Sequence, residues 1–303
     1  MENPGYRTPI RGNMSNSDSY AKPLRGFIRS KRRQRGILHR TLFTISLAVL
    51  LAGTATAETV QFRTASPSQD VNITADFYRP SGDGPFPAIV VLHTCGGVGK
   101  KEGQYAYSLR SEGYAVVVPD SFGSRGNRRP GYKCTPGNYE KHVSDSISDA
   151  LGAAAYLRSL PFVRGDRIAV MGMSLGGTAV LAFPPEAQDQ GIRAAISYYP
   201  PCVQPDGKHF FNESKIPLLL LLAELDNWSP TPACVAKAQE SQKSGRIVEW
   251  MVYPGAHHGF DNQSYYSAVN DNRGRTMQFN QSATDDSWNR FKTFLTKHLG
   301  KEP

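Results

Sequence analysis

The strongest constraint on the fold is a set of short, uninterrupted apolar runs separated by helix-length segments. Pro87–His93, Tyr114–Pro119, Arg167–Met171, Ile192–Tyr198, Ile216–Ala223 and Ile247–Tyr253 carry apolar side chains at successive positions, not alternate ones. A strand that is apolar on both sides must be covered on both faces, which is the condition of a parallel sheet between helical layers. The intervening segments Glu102–Glu112, Lys141–Leu160, Leu175–Ala187, Pro232–Gly245 and Asp285–Leu299 are predicted helices. Lys141–Leu160 shows the spacing most clearly, with Val143, Ile147, Ala150, Leu151, Ala154 and Leu157 on one stripe. Thr59–Arg63 and Val71–Tyr78 are predicted as an antiparallel opening pair. The expected fold class is α/β, a mostly parallel twisted sheet with helices on both faces, in one domain spanning 58–303. Ser121–Tyr139 is long for a strand-to-helix connection, and such loops often serve sites.

The formal net charge of +9 suggests a polyanionic partner until it is located along the chain. Residues 1–57 hold ten of the 35 basic residues and two of the 26 acidic ones. The remainder is nearly neutral and lacks the basic excess that phosphate binding requires. No nucleic-acid partner is expected. The basic stretch Lys31–Arg40 runs into the apolar segment Thr41–Gly53 and then Ala55-Thr56-Ala57. That is the layout of a secretory signal with a long basic leader, cleaved after Ala57. The apolar segment is too short to span a bilayer of roughly 30 Å as a helix. No stable membrane span is expected after cleavage. An uncleaved anchor, a start at Met14 and twin-arginine export through Arg32-Arg33 remain open. The expected location is periplasmic or secreted.

Gly172-Met173-Ser174-Leu175-Gly176 follows a predicted strand and opens a predicted helix. In a nucleophile elbow the serine sits on a strained turn, and side chains two positions to either side would collide. The helix N-terminus then points at the site and favours a developing oxyanion. The bland reading is a tight glycine turn with a serine N-cap. A hydroxyl at its free pKa is a weak nucleophile and needs a base, itself oriented by an acid. His257-His258-Gly259 follows the last predicted strand. His258 is favoured as the base because Gly259 lets the backbone aim the ring, with His257 as the alternative. Asp226, just past Ile216–Ala223, is favoured as the acid over Glu224. His93, His142, His209 and His298 are badly placed for the role. The backbone N–H groups of Leu175 and Cys95 are the expected oxyanion donors, with Thr94 the second choice for the latter. The four cysteines have no CxxC spacing and no nearby histidine or carboxylate cluster. No metal is expected, and this chemistry requires no organic cofactor.

Taken together, Val90–Gly97, Pro119–Gly123, Gly172–Gly177 and Tyr253–Phe260 resemble the dienelactone hydrolase family of α/β-hydrolases, over roughly Val71 to Leu299. The resemblance implies a Ser174–Asp226–His258 triad and hydrolysis of a small-molecule ester or lactone. Namesake enzymes of that family use a cysteine nucleophile gated by a glutamate, where this chain has Ser174 and Thr94. Those departures move the expected substrate away from dienelactones. Arg125 lies one residue off the place of the arginine that binds a substrate carboxylate there, and is a candidate for that role; its bland reading is a solvated loop charge beside Arg128 and Arg129. On this topology the pairs Cys95–Cys134 and Cys202–Cys234 are expected as disulfides. The alternatives to an esterase or lactonase are a small peptidase or acyltransferase with the same triad, and a catalytically silent binding protein on this fold.

Overall fold

The computed structural model describes residues 57–127, 134–203, 207–208, 210–211 and 214–300. The expected leader lies outside them, as do His209, Arg128 and Arg129. An eight-stranded sheet runs through the described residues in the order β1-β2-β4-β3-β5-β6-β7-β8. Its strands are β1 (Glu58–Arg63), β2 (Asn72–Tyr78), β3 (Phe86–Leu92), β4 (Ala115–Pro119), β5 (Val163–Met173), β6 (Ile192–Tyr198), β7 (Leu218–Ala223) and β8 (Val248–Tyr253). The pairs β1–β2 and β2–β4 are antiparallel, and every other pair is parallel. The helices are α1 (Lys100–Ser111), α2 (Tyr139–Ser159), α3 (Leu175–Leu181), α4 (Thr231–Lys243) and α5 (Gln281–Leu299). These residues belong to one compact unit.

The period of two in β3 divides the core. Ala88, Val90 and Leu92 join residues of α2, α3 and α4 in one apolar layer, while Ile89 and Val91 join residues of α1 and α5 in the other. All of β4 and all of β7 are buried. This two-sided cover explains why the apolar runs in the sequence are continuous.

β5 and α3 depart from the expected ranges, and one further strand pair is added. β5 begins at Val163, ahead of the apolar run, because Val163 pairs with Phe86 before an irregularity in the β3–β5 register. α3 ends at Leu181 instead of Ala187. Pro184-Pro185 follows, and proline supplies no amide for a continuing helix, so 185–190 form a separate 3-10 turn. Two short strands not foreseen from the sequence, β9 (Val269–Asn270) and β10 (Thr276–Met277), form an antiparallel pair. Asp271 closes their turn by accepting from the N–H groups of Arg273 and Arg275. No helix among the described residues is long and apolar enough to cross a membrane.

Cys95–Cys134 and Cys202–Cys234 are disulfides, so all four cysteines are paired. They bridge sequence separations of 39 and 32 residues. On the loop-entropy account, closures of this length stabilise by roughly 4 kcal/mol each.

Candidate active site

β5 ends directly on Ser174, and α3 begins on the next residue. Ser174 has φ 53° and ψ −111°, one of two non-glycine residues with positive φ among those described. Such a conformation persists only where its surroundings enforce it. Ser174 N–H donates to Tyr198 O at 2.9 Å, and Thr178 N–H donates to Ser174 O at 2.9 Å. A Cβ at Gly172 would stand 2.1 Å from Gly176 O, and one at Gly176 would stand 2.5 Å from Leu92 O. The glycines of the pentapeptide are therefore required by close backbone approach.

His258 Nε2 lies 3.1 Å from Ser174 Oγ, and His258 Nδ1 lies 2.8 Å from Asp226 Oδ2. An ionised carboxylate only accepts, so the Asp226 bond places the imidazole hydrogen on Nδ1 and leaves Nε2 as the acceptor facing Oγ. Asp226 Oδ1 accepts from the N–H groups of Trp228 (2.9 Å) and Ser229 (2.8 Å). Its side chain is 1% exposed. Three hydrogen bonds, two on Oδ1 and one on Oδ2, fix its orientation. Glu224, the other acidic candidate, accepts from Gly255 N–H at 2.8 Å and staples the loop after β7 to the loop after β8. His257 presents a buried Nδ1 with no partner among the described residues, and it does not reach Ser174.

Two aromatic rings hold the His258 imidazole. Trp228 stacks on it with centroids 5.6 Å apart and 19° between planes, and Tyr199 meets it edge-on at 4.8 Å. Arg275 covers the Trp228 ring at 3.6 Å and is itself fixed by Asp271. His258 also bridges to Met277 of β10. Sequence reading missed this enclosure. Trp228 stands two residues after Asp226, and Tyr199 stands at the carboxyl end of β6, where side chains of a parallel sheet meet its ligands. Those positions are the available signals.

The turn after β3 carries the second expected oxyanion donor. Thr94 O accepts from Gly97 N–H at 3.1 Å and Thr94 Oγ1 from Gly96 N–H at 3.0 Å. Thr94 thus closes the turn through its two oxygens, and Cys95 at its apex is anchored through Cys134. His93 donates from Nδ1 to Thr94 O at 2.7 Å and packs on Phe122, whose ring also meets His142. Burial holds the His142 pKa below its ordinary value. Both are structural histidines under the turn.

Arg125 is not a solvated charge but is buried against α2. Its guanidinium bonds both oxygens of Asp149, at 2.7 and 2.9 Å, and Ser121 O at 3.0 Å. Asp145 lies at 3.5 Å. Burial opposes the Arg125 charge, but Asp149 and Asp145 outweigh it and hold its pKa above the ordinary value. These bonds hold the side chain against α2. The Asp149 side chain is 0% exposed. Arg125→Ala is therefore expected to cost about 3–5 kcal/mol in a urea titration, because a buried carboxylate loses its partner. Turnover per folded molecule is expected to stay near the wild-type value.

Among the described residues, no group of three or more His, Cys, Asp or Glu side chains could hold a metal ion. A cleft of about 520 Å³ lies between α1 and α5, lined by Lys101, Tyr105, Asp261 and Trp288 among others, and includes none of Ser174, Asp226 and His258.

Comparison with known proteins agrees with this architecture. The chain is 34% identical over 137 residues to the quorum-quenching protein AidA of Acinetobacter baumannii, a match covering 44% of this chain and 41% of that protein. It is 24% identical over 254 residues to a carboxymethylenebutenolidase candidate of Escherichia coli O157:H7, covering 79% of this chain and 88% of the relative. A crystal structure of a dienelactone hydrolase candidate from Klebsiella pneumoniae superposes with a TM-score of 0.62 at 21% identity, covering 80% of this chain and all of that one, and so shares the fold. The sequence model of the dienelactone hydrolase family matches residues 73–299. The chain belongs to the dienelactone hydrolase family, hydrolases that act on ester and lactone bonds.

Proposed function

We propose that this protein is an exported serine hydrolase that cleaves a carboxylic ester or lactone through an acyl-enzyme. The observation that carries the reading is the continuous hydrogen-bonded line from Ser174 Oγ through His258 to Asp226, set on a strained elbow. His258 Nε2 takes the Ser174 proton as Oγ attacks the carbonyl carbon. The oxyanion of the tetrahedral intermediate is received by the N–H groups of Leu175 and Cys95. The Leu175 amide is in the first turn of α3, where helical geometry leaves it without an intrahelical acceptor. His258 then protonates the leaving alkoxide, and the acyl group remains on Ser174. A water molecule, deprotonated by the same imidazole, releases the acid. Asp226 keeps the imidazole in the required tautomer and stabilises the imidazolium without accepting its proton.

Export is supported by the leader pattern in residues 31–57 and by two disulfides, which persist in oxidising compartments. The engagement of Arg125 with Asp149 argues against recognition of a substrate carboxylate at that point. A neutral short-chain ester or lactone fits better. Rapid acid quench of a reaction with p-nitrophenyl acetate, followed by peptide mass mapping, tests the mechanism. The expected result is an acetyl group on the peptide that contains Ser174. Turnover without any trapped acyl group would count against the covalent intermediate.

A further inference from the structure

Behind the His258 loop lies an ion pair that the proposed mechanism does not use. Lys101, near the start of α1, is 9% exposed, and the Asp261 side chain is 0% exposed. Lys101 Nζ donates to Asp261 Oδ1 and to the Tyr199 hydroxyl. The Tyr199 hydroxyl donates to Asp261 Oδ1 at 2.7 Å, and the Tyr105 hydroxyl donates to Oδ2 at 2.7 Å. Burial, and then the Asp261 carboxylate, push both tyrosine pKa values well above the ordinary range, so both hydroxyls remain donors.

This cluster ties together three segments that meet at the site. Lys101 follows the turn that carries Cys95. Tyr199 follows β6, and its ring is the one that meets His258 edge-on. Tyr199 is the second non-glycine residue with positive φ, at 38°. Its backbone is strained, and its hydroxyl is tied down at the far end of the ring. Asp261 lies just after His258 and Gly259. Between them Phe260 is fully buried against Tyr198, Tyr199 and Tyr253. The same carboxylate thus holds the ring that the imidazole rests on and the loop that carries the imidazole.

We propose that Lys101, Asp261 and Tyr199 are positioning residues that hold His258 in line with Ser174 and balance the charge behind its imidazole. The inference rests on the serine-hydrolase reading. Lys101 Nζ lies 5.0 Å from the Tyr199 ring centroid, which lies 4.8 Å from that of His258. At such separations the two charges of the pair largely cancel at the imidazole, and removing one exposes the other. Among the described residues, Asp226 on Nδ1 and Arg275 beyond Trp228, paired with Asp271, also face the His258 imidazole. Glu102 lies on the α1 side, where it accepts from Gly99 N–H.

The test is the rate of Ser174 labelling by a fluorophosphonate across pH, in purified full-length protein whose melting is followed in parallel. Tyr199→Phe keeps the ring and removes only the hydroxyl. It is expected to slow labelling roughly tenfold through loss of alignment. Lys101→Met uncovers the Asp261 carboxylate, favours the imidazolium, and is expected to move the acid limb of the labelling profile upward by roughly 0.5 pH unit. A purely structural role would leave that limb in place. A Tyr199→Phe rate within threefold of wild type, or a Lys101→Met limb that stays put or moves down, overturns the inference. Should Lys101→Met fail to fold, Tyr199→Phe decides alone. Wild-type protein that takes no label at Ser174 would instead sink the underlying reading, and the inference with it.

Discussion

Ser174→Ala is expected to lower ester turnover by about 10⁴- to 10⁶-fold, the range seen when a triad nucleophile is removed and only binding and oxyanion stabilisation remain. The geometry makes the expectation sharp. Ser174 Oγ is the hydroxyl that faces His258 Nε2, at 3.1 Å. The methyl group of alanine leaves the imidazole with nothing to deprotonate but water. The fold should barely respond. Alanine bears the same Cβ as serine, so the strain at φ 53° is unchanged, and both backbone bonds of residue 174 are retained. The values of kcat/KM on short-chain p-nitrophenyl esters, read beside thermal melts, check both halves. A variant that keeps more than a tenth of wild-type turnover would remove Ser174 from the chemistry.

Gly172→Ala is the largest expected effect on stability. The new Cβ would stand 2.1 Å from Gly176 O and 2.2 Å from Gly176 C. Both are backbone atoms of the first turn of α3, and they have nowhere to go. Gly176 is itself pressed on β3, where a Cβ would meet Leu92 O at 2.5 Å. Relief would need α3 to move off the sheet and would carry Ser174 with it. The expected cost exceeds about 4 kcal/mol, a large share of the 5–15 kcal/mol that typically holds a protein folded. In a chain of this size that lowers the melting midpoint by roughly 10 °C or more. Gly137→Ala is the matched control. Nothing lies within 4 Å of its added Cβ, so it should melt like the wild type. A Gly172→Ala protein that also melts like the wild type would show that the elbow is not packed this tightly.

The sheet was legible because its two-sided burial leaves a direct trace in the sequence, as in Leu218–Ala223, where each residue is buried. The elbow was legible because Gly172 and Gly176 answer a local backbone requirement. Asp226 and His258 follow from chain order and from their places just past β7 and β8, and the structure brings both to Ser174. What escaped depends on contacts between segments distant in sequence. Arg125 reads as a substrate-binding candidate or a solvated loop charge until α2 presents Asp149 to it, 24 residues further on. Tyr199 reads as the end of an apolar strand, yet its hydroxyl reaches Asp261, 62 residues further on. The β9–β10 pair is exposed or half-exposed, so no apolar periodicity marks it. Its Arg275 reaches Trp228 only through the fold. The early end of α3 is the exception, since Pro184-Pro185 stood in the sequence as a local stop.

The central claim is that Ser174 is a nucleophile activated by His258 and oriented through Asp226. Fluorophosphonate labelling followed by peptide mass mapping tests it most directly, because the reagent reports an activated serine whatever the natural substrate. The account predicts a single adduct on the peptide carrying Ser174, absent in Ser174→Ala and formed at least about a hundredfold more slowly in His258→Ala, where the general base is lost. An adduct on a different serine, or no adduct on folded wild-type protein, would contradict it.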